Sequence, residues 1–231
     1  MTGTDPTVRA ALVTGASSGL GSAIARDLAS DHRVLLGGRD RSRLGGLAAE
    51  LPDASPWPVD LSAPDEIAAG VADLDRLDTL VHSAGICELG TVANAETDQW
   101  RRAFEANVLT VVELTRALLP ALRSAGGHVV LINSGAGLRA NPGWGSYAAS
   151  KFALRAFGDA LRQEEQGLRV TAVHPGRIDT PMQEGIVASE GREYDASRFL
   201  DPATVARAVT HAVRTPADAH PTEIVLRPTG R

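Results

Sequence analysis

The 231-residue sequence contains a single cysteine, Cys87, which excludes an internal disulfide and leaves too few thiols for a structural zinc site, so no metal is expected. As an isolated thiol it reads as a small buried side chain rather than a nucleophile. The formal net charge is −5 and no long basic cluster is present, which disfavours nucleic acid as a partner. No apolar run approaches the roughly 20 residues that span a bilayer. Met1–Pro6 also lack the basic, then apolar, order of a secretory signal, so a cytoplasmic protein with no membrane partner is expected. Neither a repeat nor a Pro/Ser-rich linker divides the chain, and one domain over residues 1–231 is the expectation. The 43% of hydrophobic and 22% of charged residues are ordinary for a globular chain, which argues against extended disorder.

Short apolar runs alternate with longer segments of helical period. Ala10–Val13, Arg33–Leu36, Leu77–Val81, His128–Ile132, Arg169–Val173 and Glu223–Leu226 read as strands. Leu20–Leu28, Arg41–Leu51, Asp98–Leu122, Tyr147–Glu165 and Pro202–Arg214 read as helices. Strands without polar alternation, separated by helices, predict a doubly wound α/β fold, a parallel sheet with helices on both faces. Residues 180–201 form the longest irregular stretch and are expected to be a substrate loop.

Thr14-Gly-Ala-Ser-Ser-Gly-Leu-Gly21 stands between the first strand and the first helix. Glycines at 15, 19 and 21 let backbone N–H groups approach a phosphate, and the helix start adds positive potential. About 20 residues further on, where such folds read the adenosine ribose, an Asp or Glu would bond the 2′-hydroxyl of NAD. The sequence has Gly38-Arg39 there, and a guanidinium suits the 2′-phosphate of NADP, the preferred cofactor, with NAD as the alternative.

Tyr147 and Lys151 are spaced i, i+4 and share one face of a helix. A lysine so placed is expected to lower the tyrosine pKa and fit it to exchange a proton with an alcohol or carbonyl oxygen. Ser134 follows a strand, at the sheet edge where ligands bind in this architecture, and is a candidate to hold the same oxygen. Asn107 lies in mid-helix, where its propensity is poor, which points to exposure or to a specific polar task.

Taken together, these motifs resemble the short-chain dehydrogenase/reductase family across nearly the whole chain, and in its motif order. The resemblance implies about seven parallel strands and assigns Gly15, Ser17, Ser18, Gly19, Leu20 and Gly21 to the cofactor loop, with Ser17 near the 2′-phosphate. It implies that Asp60 and Leu61 meet the adenine, that Ala84 and Gly85 allow close backbone approach, and that Pro175, Gly176, Ile178 and Thr180 hold the nicotinamide. Asn107, Ser134, Tyr147 and Lys151 match the catalytic tetrad. In it Tyr147 is the acid/base, Lys151 lowers its pKa and bonds the nicotinamide ribose, Ser134 positions the substrate, and Asn107 holds a relay water. A homotetramer or homodimer is also implied. One departure is His82-Ser83-Ala84-Gly85, where the family usually has Asn-Asn-Ala-Gly, so Ser83 is expected to bridge the neighbouring strand differently. His82 reads as a packed strand-end residue.

The expected activity is NADP-dependent interconversion of a ketone and a secondary alcohol, with a non-catalytic NADP-binding regulator or scaffold as the alternative. An epimerase or dehydratase of the extended branch would need a longer C-terminal region. Leu138, Trp144 and Met182 are the candidate pocket walls. The stretch after Thr180 mixes Glu184, Glu190, Glu193 and Asp195 with Arg192 and Arg198, so the default substrate is a small or medium, mostly apolar molecule.

Overall fold

In the computed structural model, which describes residues 8–229, strand β1 (Arg9–Thr14) buries every side chain from Ala11 to Thr14. A strand buried on both faces needs helices above and below it. The sheet supplies that setting with seven parallel strands in the order β3-β2-β1-β4-β5-β6-β7. The others are β2 (His32–Gly38), β3 (Ala54–Pro58), β4 (Thr79–His82), β5 (His128–Ile132), β6 (Arg169–Pro175) and β7 (Glu223–Leu226). Alternate residues face opposite layers. Val13, Val34 and Leu36 meet Ile24 and Leu28 of α1 (Gly19–Leu28), Leu44 of α2 (Arg41–Ala49) and Val209 of α8 (Pro202–Arg214). Leu12, Leu35 and Leu131 meet Ile67 of α3 (Pro64–Val71), Leu114 and Leu118 of α5 (Thr110–Ala125) and Leu154 of α6 (Gly145–Glu164). Burying each such leucine stabilises the fold by about 1.5–3 kcal/mol.

Three stretches of the chain depart from expectation. β3 and α3 lie in a stretch without apolar alternation. Pro56 and Pro58 obscure β3, and it tolerates them because it is the edge strand, where missing N–H donors leave few partners unpaired. The expected loop at 180–201 instead begins with helix α7 (Pro181–Ser189) and carries a 3₁₀ turn at Ala196–Arg198. Thr180 caps α7 by accepting a hydrogen bond from Gln183 N at 3.3 Å, and Pro181 opens it without wasting a donor. The long helix expected over Asp98–Leu122 is α4 (Thr97–Phe104) and α5 joined by a π-helical turn, Glu105–Leu109.

The strand order reverses between β1 and β4, and the C-terminal ends of these strands frame a crevice, the ligand position of doubly wound sheets. No helix among the described residues is long and apolar enough to cross a membrane.

Candidate active site

A cleft of about 1170 Å³ runs along those strand ends. At one end lies the glycine turn. Gly15 has φ +69°, and a Cβ there would stand 2.9 Å from Ala84 N. A Cβ on Gly21 would lie 2.3 Å from Gly15 O, so helix, turn and the β4 end close on one another only without side chains. The N-cap Ser18 makes no side-chain cap bond, which leaves the first-turn N–H groups of α1 facing the cleft, as an anion site requires. Arg39 is exposed beside this turn and has no ion pair or hydrogen bond among the described residues. Ser17 Oγ is 3.7 Å from where a Cβ on Gly38 would sit. The Asp60 carboxylate accepts from Ser62 N at 2.9 Å and Ser62 Oγ at 2.7 Å, and these bonds, with Arg39 nearby, hold its pKa below the ordinary value.

At the other end stand Ser134, Tyr147 and Lys151. Ser134 Oγ accepts from Ala136 N at 3.1 Å, so its own proton is free to be donated. Tyr147 packs edge-on to Trp144, with ring centroids 5.9 Å apart. Burial raises the pKa of Tyr147, the nearby Cys87 thiol adds to the rise, and the Ser134 hydroxyl opposes it. This corrects the expectation that Lys151 lowers the tyrosine. The Lys151 ammonium, 5.8 Å from the ring centroid, donates to Ile132 O at 2.9 Å, and desolvation dominates the phenol. Burial in turn brings Lys151 down to about 8.

Asn107 corrects a second expectation, because it does not border the cleft. It is 1% exposed, accepts from Ile86 N at 2.9 Å, and donates to Ile86 O and Ser150 Oγ at 3.0 Å each. Ser150 Oγ in turn donates to Tyr147 O at 2.8 Å. The π turn swings Asn107 under Gly85, where a Cβ would stand 2.7 Å from Asn107 Oδ1. Leu138 is the third correction: it is half-buried and away from the cleft. The cleft wall at this turn is formed by Gly135, Ala136 and Arg139. Trp144, Met182 and all other residues expected at the cofactor or catalytic positions border the cleft.

Several contributors were not anticipated. Thr14 Oγ1 accepts from Ser83 N at 3.0 Å and Ala84 N at 3.1 Å, so a threonine on β1 bridges to the β4 end where the family usually has Asn. Asn133 accepts from Ser134 N at 2.8 Å and donates to Lys151 O at 3.0 Å, tying two of the candidate residues together. Gln183 borders the cleft, is 4% exposed, and its Nε2 has no hydrogen-bond partner among the described residues. His82 is buried with Nε2 2.9 Å from Thr115 Oγ1, and burial holds its pKa down to about 3, so it packs as a neutral strand-end residue. Cys87, on the cleft wall, is pushed up to about 12 by burial and stays a thiol.

A cradle that any Cβ would fill, a helix start facing it and an orphaned buried amide beside it fit a dinucleotide, and no residue on the turn blocks one. With the doubly wound sheet, this defines a Rossmann-like oxidoreductase. The chain belongs to the short chain dehydrogenase family, whose model matches residues 9–191. It is similar to an oxidoreductase of Staphylococcus saprophyticus, at 31% identity over 95% of this chain and 97% of that protein. It is also 35% identical, over 95% of its length, to glycine betaine reductase ATRR of Emericella nidulans, of which it spans only 19%. An alcohol dehydrogenase of Thermococcus sibiricus, solved with 5-hydroxy-NADP, superposes with TM-score 0.88 at 26% identity, covering 96% of this chain and 97% of that one. The chain is thus a dehydrogenase/reductase enzyme.

Proposed function

We propose that the enzyme is an NADP-dependent reductase or dehydrogenase of ketones and secondary alcohols, with Tyr147 as the general acid/base. The observation that carries this reading is that one cleft is bordered at one end by the glycine turn and Arg39, and at the other by Ser134, Tyr147 and Lys151. Arg39, unpaired among the described residues, with Ser17 beside Gly38, favours a 2′-phosphate, and 5-hydroxy-NADP accompanies the similar alcohol dehydrogenase.

The nicotinamide supplies the hydride when bound. The protein supplies geometry and a proton. Ser134 donates its hydroxyl to the substrate oxygen, and Tyr147, whose proton burial retains, gives that proton to the same oxygen during reduction. Lys151, when charged, favours the phenolate that remains. Asn107 acts through Ser150 and the Tyr147 carbonyl and is a positioning residue. Trp144 and Met182 wall the substrate end.

Both ends of the cleft rest on one sheet, which supports a single domain for cofactor and substrate. Leu109 and Phe152, 50% and 43% exposed beside and on the long helices, favour a homodimer or homotetramer, and a cytoplasmic location goes with this reading. The test is Tyr147→Phe: turnover of a ketone panel should fall by about 10²- to 10⁴-fold with NADPH binding retained. Undiminished turnover in the variant refutes the assignment.

A further inference from the structure

Five arginines border the cleft, and their partners divide them. Arg102 is paired with Glu88 at 2.7 Å, and Arg177 is paired with Glu190. Arg39, Arg139 and Arg227 have no carboxylate partner among the described residues. Arg39 follows β2, whereas Arg227 follows β7, five strand spacings away, or about 24 Å at 4.8 Å each. One phosphate of a cofactor therefore cannot engage both ends.

The other two arginines meet the turn that begins at Gly135, the residue after Ser134, Arg227 through its guanidinium and Arg139 through its main chain. The Cζ and both terminal nitrogens of Arg227 lie 3.3 Å from where a Cβ on Gly135 would sit, so the guanidinium lies flat against that residue. Arg227 Nη1 is fixed, donating to His174 O at 2.8 Å and Leu226 O at 2.9 Å. Its Nε and Nη2 remain without partners among the described residues. Arg139 N donates to Gly135 O at 3.1 Å, which places the start of its exposed side chain on the same turn. A guanidinium with two free donor atoms against the residue that follows Ser134, and a second unpaired arginine on the same turn and cleft wall, match an oxyanion, carboxylate or phosphate, on the substrate itself.

We infer that Arg139 and Arg227 form an anion site, and that the natural substrate is a carbonyl compound, or its alcohol, bearing a carboxylate or phosphate close to the reacting carbon. This rests on the reductase reading above and replaces the mostly apolar default substrate with one whose body meets Trp144 and Met182 and whose charge meets the two arginines. No bond beyond those of carbonyl reduction is required.

The test uses the full chain with NADPH and matched pairs: acetoacetate against ethyl acetoacetate, and 2-oxopropylphosphonate against its dimethyl ester. The anion of at least one pair should have the higher kcat/KM, and which pair shows it separates carboxylate from phosphate. Arg227→Gln and Arg139→Gln should each collapse that acid-to-ester ratio by about 10- to 100-fold, mainly through KM of the acid. A ratio at or below one in the native enzyme, or one that neither variant changes, overturns the inference. Arg139 is exposed, so its variant keeps the test valid if Arg227→Gln fails to fold. Titration calorimetry of acetoacetate and the phosphonate into the NADP⁺-loaded protein separates the two readings. Binding that either variant abolishes supports the anion site even without turnover, and absence of binding by both anions overturns it. Absence of turnover for all four compounds counts against the reductase reading alone.

Discussion

The Lys151 ammonium lies 5.8 Å from the Tyr147 ring centroid while donating to the Ile132 carbonyl at 2.9 Å. The two groups share a dry environment that moves their pKa values toward the uncharged forms: up for the phenol, down to about 8 for the ammonium. Reduction needs a proton on Tyr147 and benefits from charge on Lys151. The phenol keeps its proton across the neutral range, so Lys151 sets the profile. Reductive kcat/KM should be level in mild acid and fall as pH rises through about 8. Lys151→Arg, whose guanidinium does not deprotonate, should remove that fall even if the plateau is lower. A native rate that climbs through this range contradicts the assignment.

Cofactor choice should depend on Arg39, which is exposed on the cleft rim with Ser17 close to the neighbouring Gly38. A charge-assisted bond to phosphate is worth about 1.5–3 kcal/mol. Arg39→Ala should therefore cut kcat/KM with NADPH by about 10- to 100-fold and change the NADH value far less. Steady-state kinetics with both cofactors decides it, and a native preference for NADH, or equal losses with the two, removes Arg39 from this role.

Six of the seven strands and most of the cleft-lining candidates were legible because buried parallel strands are written as continuous apolar runs and the site motifs sit at their ends. What stayed hidden depended on tertiary context or on overlooked capping. β3 reads Ala-Ser-Pro-Trp-Pro, and only its edge position makes that tolerable. α7 carried a usable sign, since Thr180-Pro181-Met182-Gln183 has the spacing of a capping box with Pro at its start. The poor propensity of Asn107 marked a polar task but not the π turn, because Asn107 is drawn under Gly85 by the Ile86 main chain, a partner 21 positions away. Nearness to Ser134 in sequence did not bring Leu138 to the cleft, whose wall there is Gly135, Ala136 and Arg139.

Asn107 should affect rate through position and not contact. Its amide makes three bonds, two to Ile86 and one to Ser150, in a buried setting. Asn107→Ala leaves the Ile86 groups unsatisfied, at about 1–3 kcal/mol of stability. With Ser150 freed, the first turns of α6 lose a restraint on Tyr147, so kcat should fall by about tenfold or more while KM for NADPH moves little. Asn107→Asp keeps only the acceptor for Ile86 N and should be intermediate in stability. Unchanged kcat in Asn107→Ala would show that the amide is purely structural.

The last prediction concerns the acid side of stability. Arg214 on α8 grips the end of α1, with Nη1 2.9 Å from Asp27 Oδ1 and Nη2 2.9 Å from Asp31 Oδ1. The Arg214 bond is the main cause of the Asp31 pKa falling to about 2 from 3.8, with His32 assisting. A carboxylate with a depressed folded pKa adds stability above its unfolded value and loses it as pH falls toward the folded one. Asp31 and Arg214 side chains are 38% and 35% exposed, so screening reduces the contribution to about 1 kcal/mol. Arg214→Met should be less stable than the native chain by about 1–2 kcal/mol near pH 7, since Asp27 also loses its partner. That gap should narrow between pH 4 and 2 as Asp31 is protonated. Urea unfolding at several pH values reads it directly. A gap that is constant with pH would mean that Arg214 acts by packing its stem against α1, and not through its charge.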